Sequence, residues 1–261
     1  ALPVTAAPAA PAAGTAPAAT RRLDVTAMQC PGPIVRVRQS LEEMAPGEEI
    51  IIRGTLSFRN DLEAWCASTG HALGAVREED RFFEAIVRKA AATARPGAAG
   101  GAAPPESATI VLFSNDLDRA MAAFIIATGL ASLGTKVSIF FTFWGLSVLR
   151  KDPPPAVAKD LFSSLFGLML PRGARKLALS KFHMLGMGSA AMRHTMAVKK
   201  VSSLPELMAQ ARALGVRYVA CDMAMDVMGM GRQELLDEVD EVAGVASFAA
   251  MTKAGGTTLF I

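Results

Sequence analysis

The chain has 261 residues, of which 51% are hydrophobic and 20% charged, with a net charge of +3. That apolar content excludes a disordered chain, and so small a charge gives no nucleic-acid binder without a clustered basic patch. Three cysteines, an odd number and without a CxxC pair, exclude a disulfide scaffold and a four-cysteine zinc site.

The cysteine usage fits a reducing compartment, so a cytoplasmic location is expected, with no metal and no other cofactor. Residues 1–20, ALPVTAAPAAPAAGTAPAAT, have no basic segment and no unbroken apolar core, and read as a flexible Ala/Pro linker rather than a signal peptide. A second stretch of the same composition covers 91–106. The two set off a small unit, 21–90, of net charge −1, and a larger unit, 107–261, of net charge +4. The apolar runs around Ala120–Thr135 and Val137–Leu149 fall short of the roughly 20 residues that span a bilayer. Contact with a membrane surface stays open only as a minor alternative.

In the small unit, LDVTAM alternates as a half-buried strand does. PGPIVRVRQSLEEM follows as a helix with Ile34, Val37, Leu41 and Met44 on one face. EEIIIRG predicts a strand, FRNDLEAWCASTG a helix closed by Gly70, and the runs on either side of Asp80 a hairpin. The order β-α-β-α-β-β predicts an α+β two-layer sandwich.

Cys30 falls between the first strand and the first helix. A helix N-terminus lowers a thiol's pKa from about 8.5, Pro31 fixes the entry and Gly32 keeps the approach open. The alternative for Cys30 is a small buried apolar residue. The run LDVTAMQCPGPIVRVRQSL, with Cys30-Pro31-Gly32-Pro33 after Leu23-Asp24, and the later Pro46-Gly47-Glu48 and Trp65-Cys66, resembles the TusA/SirA family of sulfur carriers over most of 23–89. Ala27 stands where that family's pattern leads one to expect glycine. The resemblance implies that Cys30 carries a persulfide, supported by Asp24, Pro31, Gly32 and Pro33. Cys66, inside the second helix, reads as a core residue.

In the large unit, ATIVLFS predicts a strand buried on both faces, LDRAMAAFIIATGLASLG a helix ending at Gly134, and TKVSIFFTF a second buried strand. Further along come a helix over 204–214, the strand VRYVAC, a helix over GRQELLDEV, and final elements in GVASFAAMTKAG and GTTLFI. Repeated βα units predict an α/β parallel-sheet, Rossmann-like domain, with a helical insertion at about 145–200 over one edge.

Cys221 ends the strand VRYVAC, at the sheet edge where ligands and chemistry collect. Met223, Met225, Met228 and Met230 follow it and read as packing rather than copper ligands. CDMAMDVMGM, after ATIVLFSNDLDRAMAAFIIATGLA and KVSIFFTFWGL, resembles the DsrE2 branch of the DsrE/DsrF-like family. That implies a sulfur-relay role for Cys221, beside rhodanese-like or CoA-disulfide-reductase-like partners; burial in the core is the alternative for this thiol.

Residues 150–200 hold ten Lys/Arg and two Asp, interleaved with apolar residues. Arg172, Arg175 and Lys176 are the candidates for docking an anionic partner. Taken together, the chain reads as a sulfur carrier and sulfurtransferase working through cysteine persulfides, with donor and acceptor proteins as partners, no nucleic acid, and self-association left open. A peroxidase-like thiol enzyme and a membrane-associated adaptor are the rival functions. The 91–106 linker is expected to let sulfur pass between Cys30 and Cys221 of one chain.

Overall fold

The computed structural model of the chain describes residues 21–29, 31–90, 107–155, 157, 167, 170–182, 184–253 and 256–261. Two sheets organise them, and no strand is shared.

The first sheet has the order β1-β2-β4-β3. Strand β1 (Arg21–Asp24) runs parallel to β2 (Glu49–Thr55), while β4 (Phe82–Arg88) pairs antiparallel with both β2 and β3 (Ala72–Glu79). Alternate residues of β2 and β4, Ile50 and Ile52, Phe83, Ala85 and Val87, are buried. They cluster with Val37 and Leu41 of α1 (Gly32–Glu42) and with Phe58, Leu62 and Trp65 of α2 (Leu56–Thr69). Helix α2 ends at Gly70, whose φ of 78° is in the left-handed region that glycine enters freely. This is the α+β sandwich expected. The first strand is shorter than LDVTAM suggests. The Asp24 carboxylate accepts from the backbone N–H and the hydroxyl of Thr26, and Met28 N–H donates to Val25 O, so the chain turns at Thr26-Ala27.

The second sheet is parallel throughout, in the order β8-β7-β6-β5-β9. Its strands are β5 (Ser107–Leu112), β6 (Lys136–Phe141), β7 (Arg217–Cys221), β8 (Glu241–Ala243) and β9 (Gly256–Phe260). From β5 to β8 the chain steps in one direction, so right-handed crossovers place α3 (Leu117–Ser132) and α5 (Leu204–Ala213) together on one face. The return to β9 carries α7 (Val245–Lys253) to the other face, with Phe248 of α7 4.8 Å from Phe140 between ring centroids. Ile110, Leu112, Ile139, Phe141 and Tyr218 of the strands and Phe124 of α3 are fully buried. The expected parallel α/β architecture is present.

One expectation changes. GRQELLDEV forms no α-helix. A 3-10 turn covers Arg232–Glu234, and Leu235 then bridges antiparallel to Arg150, with Leu236 N–H donating to Leu149 O and Lys151 N–H to Glu234 O. Pairing with the 149–151 segment takes the backbone groups a helix would have used, and buries Leu235 completely. Much of the expected helical insertion, residues 156, 158–166, 168, 169 and 183, lies outside the described residues. A 3-10 segment spans Phe143–Leu149, and α4 (Met187–Val198) is the insertion's longest helix among the described residues. No helix among the described residues is long and apolar enough to cross a membrane.

Candidate functional site: two cysteine loops and the contact between the units

Cys30 lies outside the described residues, and its neighbours define the loop around it. Ala27, Met28 and Gln29 are exposed, while Pro31 and Pro33 are buried. Pro31 and Pro33 have no N–H, Gly32 N–H donates to Gln29 O at 2.8 Å, and Val35 N–H donates to Pro31 O. The first turn of α1 therefore presents few free donors, and less of the electrostatic case for an activated thiol rests on them than the position alone suggests. Asp24 lies at the end of β1, and the two bonds from Thr26 hold its carboxyl below its usual value.

Cys66 is 1% exposed, and burial pushes its thiol up to about 12, so it stays protonated and inert. Cys221 closes β7 at the carboxyl edge of the parallel sheet and starts the short helix α6 (Asp222–Val227). It is 5% exposed, in the same core cluster as Met225, Met228 and Met230, whereas Met223 faces solvent. The thiol thus has the edge position expected, but not open access.

The two units touch at the C-terminus of α3. Trp65 of α2 donates its indole N–H to Ser132 O at 2.8 Å, and Arg38 of α1 donates to Ala131 O at 2.6 Å. The last carbonyls of a helix lack intrahelical donors and carry its partial negative charge, so an indole N–H and a guanidinium suit them. Leu133 packs against the small unit's core, and His71 stacks on Trp65 with ring centroids 5.0 Å apart. Burial, then Lys89, pushes the His71 pKa down; its Nδ1 accepts the Ala90 N–H at 3.0 Å.

This contact lies at the amino edge of the parallel sheet, because Gly134 leads directly into β6 at Lys136. Cys221 is at the opposite edge, about 13 Å further along β7 from Arg217. The contact uses the later parts of α1 and α2. None of residues 24–29 and 31–33 lines the cavities beside it. The hydrogen bonds across the contact thus come from Arg38 and Trp65, and Cys221 lies at the far edge of the sheet from them.

Of the basic residues in the insertion, Lys176 Nζ pairs with Asp152 at 2.9 Å. Arg172 and Arg175 line a cavity of about 490 Å³ with Arg150 and Arg212. Arg150 is buried, donating to the carbonyls of Leu170, Pro171 and Gly167, with Glu234 at 3.9 Å. Lys159 and His183 lie outside the described residues. Sequence reasoning missed Arg38 and Arg212, because each acts through a partner far away in the chain.

The sequence model of the DsrE/DsrF/DrsH-like family matches residues 105–260, and that of the family described as sulfurtransferase TusA matches 21–89. The YrkE protein of Bacillus subtilis (strain 168) is 47% identical over 153 residues, covering 59% of this chain and 95% of that protein. The sulfur carrier protein DsrE2 of Allochromatium vinosum is 35% identical over 156 residues, 58% of this chain and 96% of its own. NMA0882 of Neisseria meningitidis serogroup A is 37% identical over 67 residues, 25% of this chain and 90% of its own. The chain therefore belongs to the DsrE/DsrF/DrsH-like family, and it carries a TusA-family unit ahead of that domain.

Proposed function

We propose that the chain is a sulfur-trafficking protein that holds sulfane sulfur as a persulfide on Cys30, with Cys221 as a second sulfur-handling thiol. The observation that carries this reading is the joining of a TusA-family unit, in which Ala27, Met28 and Gln29 ahead of Cys30 are exposed, to a DsrE-like sheet that ends a strand in cysteine. A sulfur carrier protein among the relatives supports it.

In the transfer step, the Cys30 thiolate attacks the terminal sulfur of a donor persulfide. A new S–S bond forms on Cys30, the donor's S–S bond breaks, and the donor leaves as its thiolate. No electrons are lost or gained overall, so no oxidant is needed. Asp24 and Thr26 hold the turn before Cys30, and Pro31, Gly32 and Pro33 set the start of α1 after it. Donor and acceptor proteins can approach this loop with the units docked. Exchange between Cys30 and Cys221 of one chain requires the units to part and the cover over Cys221 to open.

Incubating the full chain with a persulfide donor and recording intact mass tests the reading. One sulfur atom's added mass, removed by dithiothreitol and absent in Cys30→Ser, is the expected result. Loading that persists in Cys30→Ser, or peroxide-dependent sulfenic acid on Cys30 without sulfur loading, would refute it in favour of a different thiol chemistry.

A further inference from the structure

We propose that the cavity walled by Arg150, Arg172, Arg175 and Arg212 binds a small organic dianion, a phosphate ester or dicarboxylate with an apolar body, at a site separate from both cysteine loops. The cavity's volume of about 490 Å³ is in the range of small-molecule sites. Cys221 is not among its lining residues.

Arg150, with Glu234 at 3.9 Å, and Arg212 are paired with carboxylates, whereas Arg172 and Arg175 form no ion pair among the described residues. Asp152, one of two carboxylates in the lining, is paired with Lys176. Arg212 is held by Asp240 through bonds of 2.6 and 3.1 Å and lies over the Tyr218 ring. Arg150 is fixed by the carbonyls of the 167–171 segment. These two guanidinium groups set a positive wall without freedom to move. Arg172 makes one bond, to Gly167 O at 3.3 Å, and the Arg175 side chain makes no hydrogen bond or ion pair among the described residues. Among the described lining residues, Glu238 is the one carboxylate that remains to oppose them. Guanidinium groups with spare paired donors suit the geometry of carboxylate and phosphate oxygens.

The turn that presents Arg172 and Arg175 is built into the fold. Gly173 between them has a φ of 75°, its N–H donates to Ser147 O, and an added Cβ would lie 2.9 Å from Arg150 O. Only glycine lets the turn approach the buried Arg150 segment this closely. The lining also includes the apolar residues Val148, Met208 and Leu236 and the Tyr218 ring. A flat basic patch would suit an acidic protein. A concave site lined by both guanidinium and apolar groups suits an amphipathic small anion.

Isothermal titration of the full chain with phenyl phosphate, phthalate and inorganic phosphate tests this. Both aromatic dianions should bind, each more tightly than inorganic phosphate, and added salt should weaken them. The tighter of the two identifies the preferred oxyanion. Arg175→Gln, at an exposed side chain without a partner among the described residues, should weaken binding by at least about tenfold and leave the melting temperature unchanged. The proposal fails if neither aromatic dianion binds, if Arg175→Gln and Arg172→Gln both bind as the parent does, or if inorganic phosphate binds equally well. Saturable binding of polyglutamate without binding of either small dianion would also overturn it, in favour of an acidic protein.

Discussion

The indole of Trp65 and the carbonyl of Ser132 join two units that share no strand: the Nε1–H donates at 2.8 Å, and Trp65 is 3% exposed. The same indole stacks on His71, so one side chain ties the end of α3 to the small unit's second helix and to its last residues.

Trp65→Phe keeps a ring in the small unit's core and removes the donor. A buried carbonyl left without its partner costs about 1–3 kcal/mol. The variant should melt at a lower temperature, cleave faster in the 91–106 segment under limited proteolysis, and pass label from Cys30 to Cys221 faster. Melting and cleavage unchanged from the parent would show that the units do not dock through Trp65 in solution.

His71 should give the fold a pH dependence on the acid side. Its folded pKa is lowered, by burial first and by Lys89 second, below the ordinary 6.5. As pH falls through that ordinary value, the unfolded chain takes up a proton that the folded chain resists, so stability is lost toward acid and is fully present above it. His71→Asn retains an acceptor for the Ala90 N–H and does not titrate. Melting temperatures at about pH 7.5 and about pH 5.5 should diverge more in the parent than in the variant. Equal losses would assign the slope to other groups.

The thiols should separate by reactivity. With its thiol raised to about 12 and 1% exposed, Cys66 should resist iodoacetamide until the chain unfolds. Cys221, 5% exposed, should react slowly in the native chain, and Cys30 first of all. Peptide mapping after short alkylation reads the order, and early labelling of Cys66 would contradict the packing of α2.

Arg150 should be the most sensitive basic residue of the 150–200 segment. Its guanidinium bonds three carbonyls, faces Glu234, and is almost fully buried. Arg150→Ala strips those acceptors and the paired carboxylate together, at a loss of about 3–5 kcal/mol in denaturant unfolding. Lys199→Ala, at an exposed position, should change stability little. Similar small losses for both would mean that Arg150 is not enclosed as described.

Periodicity and punctuation were enough to read most elements. The alternation in EEIIIRG, the apolar runs of β5, β6 and β7, and the glycines after α2 and α3 report local rules that hold wherever the segment is placed. The two-unit division followed from composition, and the family resemblance from short runs around Cys30 and Cys221. Where local and non-local demands competed, the sequence reading failed. GRQELLDEV has helical spacing, but the strand-like segment at 149–151 claims its backbone.

Sequence by itself therefore determined most of the elements that form, their order, and the family to which the chain belongs. Only the tertiary structure decided that Arg38 and Trp65 meet the end of α3, that Arg150, Arg172, Arg175 and Arg212 share one cavity, and that Cys221 lies at the edge opposite the docked unit. Secondary structure depends on neighbours a few residues apart, which a linear pattern records. These juxtapositions join residues tens of positions apart, and they arise from burying apolar faces and satisfying helix-end carbonyls across the fold.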